Sequence, residues 1–377
     1  MNSLFRERFS ATLAHQPVDR CPVDFGGTPF TNLLDPSMLF CVARHLGIAC
    51  RGDDAAAVLE AVQRRWDTDF RRVGTLLSLE SPRKRTVSEV EHVDEYGITH
   101  AHIGGRWEIT GHPLKNASLD DVIRYEFPVL SAGTLAAIEG YGRQARRLYD
   151  DSPHVVVGEH PVFGVLELAC WLCGYDTILE KMCCEPEYVH LLFDRILDFQ
   201  LKISGPYFHH LGRHIHVMTS GDDFGAQHGM FMGLEMWREF VKPRMGARHG
   251  FNRKFTDAAW FHHSCGAVSD LIPDLARIGV SILNPVQTTA AGMNAPRLKS
   301  EFGGMMVFHG GFDTQGVLPG GDAEEIREEA ERLIRAMKPR ESGGFIFAPA
   351  HNIQNDVAPE SVAAMYAAAL ELAGADF

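Results

Sequence analysis

No apolar run in this sequence approaches the roughly 18 residues that a membrane-spanning helix needs. The longest, Val155 to Tyr175, is broken by Glu159, His160, Pro161 and Glu167. The opening stretch Met1-Asn-Ser-Leu-Phe-Arg-Glu-Arg8 has no hydrophobic signal region, so a cytoplasmic protein is expected. Basic residues are in deficit: 36 Lys+Arg face 49 Asp+Glu, a net charge of −13. That balance argues against nucleic acid or membrane as a partner, since both are bound through basic patches. Cysteine is sparse, with eight in 377 residues, too few for a disulfide scaffold. In a reducing compartment each Cys is a packing residue, a ligand or a nucleophile. There is no internal repeat, no low-complexity tract and no Pro/Gly/Ser linker between domains. Gly26-Gly27 and Gly310-Gly311 lack the spacing of a phosphate-binding loop and read as tight turns.

What remains is an ordinary globular composition, 45% apolar and 23% charged, with strand-like runs alternating with helical patterns. The strand candidates are Val155–Gly158, Ile215–Thr219, Ala259–His262, Val280–Leu283, Met305–Phe308 and Phe345–Phe347. Between them, Glu187–Phe199 carries a one-sided apolar face, and Asp322-Ala-Glu-Glu325 has the form of a capping box. Ser269–Ile278 ends at Gly279, and Glu360–Leu372 is a further amphipathic helix. Such alternation predicts a parallel sheet. We expect an α/β fold, a single (β/α)8 TIM barrel spanning 1–377. Its first 150 residues would include extensions and hairpins such as Glu89–His102.

In such a fold the chemistry gathers where strands end. Five successive strand ends carry polar residues: Asp222-Asp223, His263-Ser-Cys265, Asn284-Pro-Val-Gln287, His309 to Asp313, and His351 to Gln354. His263-x-Cys265 is the sharpest. Alternate residues project to one side of a strand, so an imidazole and a thiolate can share one ion, and both suit zinc. Donors for a third position are His309, Asp313, His351 and Asp356 downstream, and Asp222, Asp223 and Glu167 upstream. Adjacent carboxylates on extended chain point opposite ways, so only one of Asp222 and Asp223 should face the site, and the other reads as a helix cap. Asp24 faces the barrel mouth or caps a turn. Cys170-x-x-Cys173 and Cys183-Cys184 lie in apolar helical sequence and read as core. His209, His210, His214 and His216 read as structural.

In order, Gly221-Asp-Asp-Phe-Gly-Ala-Gln227, Trp237 through Lys242-Pro-Arg244, and His263-Ser-Cys-Gly266 resemble the uroporphyrinogen decarboxylase superfamily. Asn284-Pro-Val-Gln287, Gly310-Gly-Phe-Asp313-Thr-Gln315, His351-Asn-Ile-Gln354 and the early His15-Gln-Pro-Val-Asp-Arg20 continue the likeness. The resemblance implies a (β/α)8 barrel and one of two activities. One arm decarboxylates uroporphyrinogen without a cofactor. The other holds zinc methyltransferases that exchange methyl groups with a corrinoid. The decarboxylase arm carries Arg-Gln-Ala-Gly-Arg after its first strand, where this chain has Gly26-Gly-Thr-Pro-Phe30. Its His263-x-Cys265 resembles the zinc motif of the methyltransferase arm, and His351 stands where that arm has a distal Cys.

The resemblance therefore implies Zn2+ held by His263, Cys265 and His351. It implies Asp223 and His351 as catalytic residues, and Asp24, Asp222, Asn284, Gln287, His309, Asp313 and Gln354 as substrate contacts. The expected reaction moves methyl between a small O-, S- or N-methyl compound and the cobalt of a separate corrinoid protein, since no Asp-x-His-x-x-Gly cobalt motif is present. A metal-free decarboxylase and a non-catalytic corrinoid or tetrapyrrole binder are the alternatives. Assembly as a homo-oligomer is left open.

Overall fold

Strands buried on both faces need near-continuous apolar sequence, and Val155-Val-Val157 is typical of this chain. In the computed structural model, which describes residues 4–50 and 53–374, these runs form one curled parallel sheet. Its strands are β1 (Phe70–Val73), β6 (Val155–Gly158), β7 (Val217–Gly221), β8 (Ala259–His263), β9 (Val280–Asn284), β10 (Val307–Phe312) and β11 (Phe345–Pro349), in that spatial order. A separate antiparallel sheet holds β2 (Arg85–Ser88), β3 (Glu91–Val93), β4 (Thr99–Ile103) and β5 (Arg106–Gly111). It contains the hairpin expected near Glu89–His102.

The sheet has seven strands where eight were expected. The place of the eighth is taken by Pro22–Asp24, reduced to a single bridge between Val23 and Phe347. Phe347 N–H donates to Pro22 O (2.8 Å), Asp24 N–H to Phe347 O (2.9 Å), and Asp69 N–H to Val23 O (3.0 Å). The segment thus hydrogen-bonds to β11 on one side and to the start of β1 on the other. The buried Asp69 carboxylate pins it, accepting from Val23 N–H at 2.9 Å while paired to Arg8 and Arg20. Pro22, without an N–H, limits how far this pairing can run.

Other boundaries moved. β7 begins at Val217; just before it, His216 lays its ring on Tyr149 and accepts Val156 N–H through Nδ1 (3.0 Å). β10 begins at Val307, since Met305 is exposed in the preceding turn. The helix expected from Glu187 to Phe199 runs from Pro186 to Leu211. Asp322 and Glu325 form the capping box, and helices Val165–Cys173 and Tyr175–Cys184 form the expected pair. Cys170 and Cys173 are core residues, but Cys183 and Cys184 are exposed, because the outer face of their helix carries them. All eight cysteines are free thiols.

Two apolar layers hold the sheet. The larger lies between its outer face and the helices. The smaller fills its inside with Phe70, Val155, Val157, Val217, Phe261, Ile282, Val307 and Ile346, and Phe9 enters from helix Leu4–Leu13. Side chains two positions further along a strand face the same way. Above Phe261, Ile282 and Val307 therefore come His263, Asn284 and His309, so a polar layer rests directly on the apolar one.

Candidate metal centre

His263, Cys265 and His351 bring their ligand atoms within 4.8 Å of one another. His263 is the last residue of β8, pointing inward. Cys265 follows in a loop held by hydrogen bonds to the neighbouring strand ends. Its own N–H donates to Asp223 Oδ1 (2.8 Å), Ser264 Oγ accepts Phe224 N–H (3.0 Å), and Gly266 N–H donates to Gln287 Oε1 (2.9 Å). Gly266 is required here. Its φ is +83°, and a Cβ would fall 2.5 Å from the Gly225 backbone. His351 comes from the loop after β11, its ring tilted 69° against His263 at 5.4 Å.

The His263 Nε2 to Cys265 Sγ distance is 3.3 Å. Tetrahedral zinc with bonds near 2.0 Å to nitrogen and 2.3 Å to sulfur sets that separation at about 3.5 Å. The donor set therefore fits a zinc ion, with three protein ligands and a fourth position left over, as catalytic zinc sites have. Charge agrees. Burial pulls the His263 and His351 imidazoles below the ordinary histidine range, which leaves both neutral. Burial and then Asp223 push the Cys265 thiol up. Without a cation this thiol keeps its proton; a bound cation reverses that.

Behind the three donors runs a buried chain of hydrogen bonds. His263 Nδ1 meets Asn284 Oδ1 at 2.6 Å, Asn284 Nδ2 meets His309 Nδ1 at 2.9 Å, and His309 Nε2 meets Asp24 Oδ2 at 3.0 Å. Asp24 also accepts from Gly27 N–H (2.9 Å) and from the Thr28 (2.9 Å) and Thr31 (3.0 Å) hydroxyls. Gly27 makes that approach possible, since a Cβ there would lie 2.5 Å from Asp24 Oδ1. From the same loop, Phe30 stacks on His263 at 3.9 Å and 9°.

The expected substrate residues divide. Gln287, Asp313 and Gln354 line a pocket of about 440 Å³ that also touches Cys265 and His351. Arg106, on the antiparallel sheet, lines the same pocket. Asp24, Asn284 and His309 lie under His263, with at most 1% exposure. Asp222 is buried and turned away. It accepts Leu166 N–H (3.0 Å) and Glu167 N–H (2.8 Å) at the start of helix Val165–Cys173, and burial pushes it up to about 7. Asp223 faces the donors, with Oδ1 3.8 Å from His263 Nε2. Glu167, half-buried near both aspartates, is pushed well above the ordinary carboxylate range, first by burial and then by their charge. Asp356 is not among the grouped donors.

Phe30, Thr28, Thr31 and Arg106 were not singled out from sequence. Thr28 and Thr31 lie in turn-forming sequence beside an aspartate, a weak signal of side-chain capping. Nothing local marks Phe30 or Arg106.

The sequence matches the family model described as uroporphyrinogen decarboxylase (URO-D) over residues 147–372, more than half of the chain. No curated protein matches it. Among solved structures it is similar to a methyltransferase from Methanosarcina mazei. The TM-score is 0.64 and the identity 18%, over 98% of this chain and 99% of that one. It also aligns with a B12-independent methionine synthase from Shewanella sp. W3-18-1 in complex with selenomethionine. There the TM-score is 0.44 and the identity 8%, over 94% and 92% of the two chains. The first likeness is one of fold. Among the described residues, no helix is long and apolar enough to cross a membrane.

Proposed function

The chain belongs to the uroporphyrinogen decarboxylase family, and from that premise we propose that it is a zinc-dependent methyltransferase, its curled sheet a barrel with Pro22–Asp24 as the eighth stave. It moves a methyl group between a small O-, S- or N-methyl compound and the cobalt of a separate corrinoid protein. One observation carries the reading: two imidazoles and a thiol converge within 4.8 Å beside a pocket of about 440 Å³. A decarboxylase of a polycarboxylate needs cations where its substrate docks. Here the loop after Asp24 supplies the uncharged Phe30, stacked on His263, and Arg106 is the sole Arg or Lys among the described residues lining the pocket.

His263, Cys265 and His351 would hold the ion. When bound, zinc supplies positive charge that stabilises the heteroatom as its bond to methyl breaks or forms. The methyl group leaves as a formal cation and its bonding pair stays on the heteroatom, which then takes a proton. The new bond to carbon uses the electron pair of reduced cobalt. Asp223, beside the donors and partly open to solvent, serves as proton carrier. Gln287 and Gln354 orient the substrate, and Arg106 stands over it.

The test is metal content together with methyl transfer. Purified protein should hold one zinc, and His263→Ala and Cys265→Ala should lose both zinc and formation of methylcobalt from methylated donors. Zinc-free protein that transfers methyl, or transfer that survives both substitutions, overturns the reading.

A further inference from the structure

A metal-binding histidine must present a bare nitrogen, and the tautomer is set by what its other nitrogen meets. The chain below His263 can run in only one direction, and Asp24 sets it. Four donors converge on this carboxylate: Gly27 N–H, the Thr28 and Thr31 hydroxyls, and His309 Nε2. A carboxylate so surrounded only accepts, so His309 carries its proton on Nε2. Its Nδ1 faces the amide NH2 of Asn284 and therefore accepts from it. That amide makes a second, weaker bond to His309 O (3.4 Å), which only an NH2 can make. The Asn284 oxygen is thereby turned toward His263, whose Nδ1 must donate to it. Nε2 of His263 is left bare and faces Cys265 Sγ and His351.

We infer that Asp24, His309 and Asn284 are not substrate contacts but a positioning relay: hydrogen bonds of fixed direction lock His263 in the Nδ1–H tautomer and so preset it as a metal ligand. All three residues are fully buried, none reaches the pocket, and each uses its side-chain polar atoms on the next. The apolar floor of Phe261, Ile282 and Val307 offers no competing partner. The Phe30 ring, flat on His263, blocks the rotation that would exchange the two nitrogens. The zinc reading supplies the purpose of this relay, but its direction stands on the hydrogen bonds alone.

The decisive variant is His309→Phe. It touches no metal donor, keeps the ring packed on Phe261 (4.9 Å in the native protein) and leaves Asp24 three donors. It also removes the shorter of the two bonds that orient the Asn284 amide, leaving only the 3.4 Å one to the backbone carbonyl of residue 309. Two readouts apply. In metal-free, 15N-histidine-labelled protein, long-range 1H–15N spectra report each imidazole's tautomer, and loss of a signal in His263→Gln assigns His263. The wild type should show Nδ1–H and His309→Phe a shift toward Nε2–H. Zinc affinity, read by competition with a chromophoric chelator, should fall about tenfold or more. Adding Asn284→Asp to His309→Phe should restore both, because a carboxylate accepts from Nδ1–H whichever way it turns. Loss of packing alone would not be cured by a buried charge.

An Nε2–H tautomer for His263 in the wild type overturns the inference. So does a His309→Phe protein with unchanged tautomer and zinc affinity, or one that Asn284→Asp fails to rescue. Wild-type protein that shows Nδ1–H but takes up no zinc upholds the relay and overturns the metal reading instead.

Discussion

Replacing His351 with alanine is expected to strip the zinc site while leaving the fold almost untouched. The ring comes from a loop, is half-buried and packs edge-on against His263, so its loss should cost the fold no more than about 1 kcal/mol. The metal should respond far more. Structural zinc sites bind with ~10–16 kcal/mol shared by four ligands, which assigns ~2.5–4 kcal/mol to each donor, or ~10²–10³-fold in Kd. Chelator competition measures the affinity, and a thermal melt of the same sample checks the fold. His351→Cys separates geometry from charge. One thiolate and two neutral imidazoles leave zinc at +1, whereas a second thiolate makes the site neutral. This variant should keep zinc but act more weakly on oxygen-linked methyl groups, whose leaving oxygen needs the stronger field. Unchanged zinc affinity in His351→Ala would refute the reasoning. His351 would then be a substrate contact, with Asp223 or Glu167 next in line as ligand.

Four further outcomes are expected. Phe30→Ala should lower stability by about 1–2 kcal/mol and weaken zinc binding as His263 loses its stacked partner; unaltered affinity in chelator competition would argue against the stack. Asp69→Asn should cost ~1–3 kcal/mol in urea unfolding, because it leaves buried Arg8 with Asp19 as its one remaining carboxylate and weakens the hold on Val23 N–H. The third outcome concerns acid stability. Burial pulls His154, His216 and His249 down to about 4. An unfolded histidine titrates near ~6.5, so the folded protein binds fewer protons and its stability, whole above that pH, is lost as pH falls from ~6.5 toward 4. His216→Asn offers Val156 N–H an acceptor that does not titrate and should flatten that urea-midpoint profile by about one proton; an identical profile would refute the assignment. Finally, thiol alkylation of the native protein should mark Cys183 and Cys184 first and spare Cys21, Cys170 and Cys173 until unfolding. Added zinc should protect Cys265, as mass spectrometry of the peptides would show.

Much of the sheet was legible because strands buried on both sides leave a plain apolar signature. β1 was not: Phe-Arg-Arg-Val reads as polar. Arg71 is buried with its Nε on Glu60 (2.7 Å) and its Nη1 on the Phe70 and Thr68 carbonyls, none of which a local pattern can announce. The donor trio was within reach of the sequence, since His263 and Cys265 alternate on one strand end and His351 follows another. The parity of extended chain likewise foretold that Asp222 and Asp223 would part company. Depth was not legible. A polar residue at a strand end looks the same whether it meets solvent, as Gln354 does, or supports a neighbour from below, as Asn284 and His309 do. Phe30 gave no sign at all, because its partner arrives from a strand more than half the chain away.

Asp24 has two duties, and they are spent on the same few atoms. Its backbone N–H belongs to the seam that joins Pro22–Asp24 to β11. Its carboxylate receives His309 from 285 positions downstream. Loop closure across such a span is among the slower events of a folding chain. Helices can form and the apolar layers can gather while that seam is still open, but His263 is not yet told which nitrogen to bare. On the proposed zinc reading, ion capture rather than helix content is therefore the quantity that reports a chain whose distant parts have met.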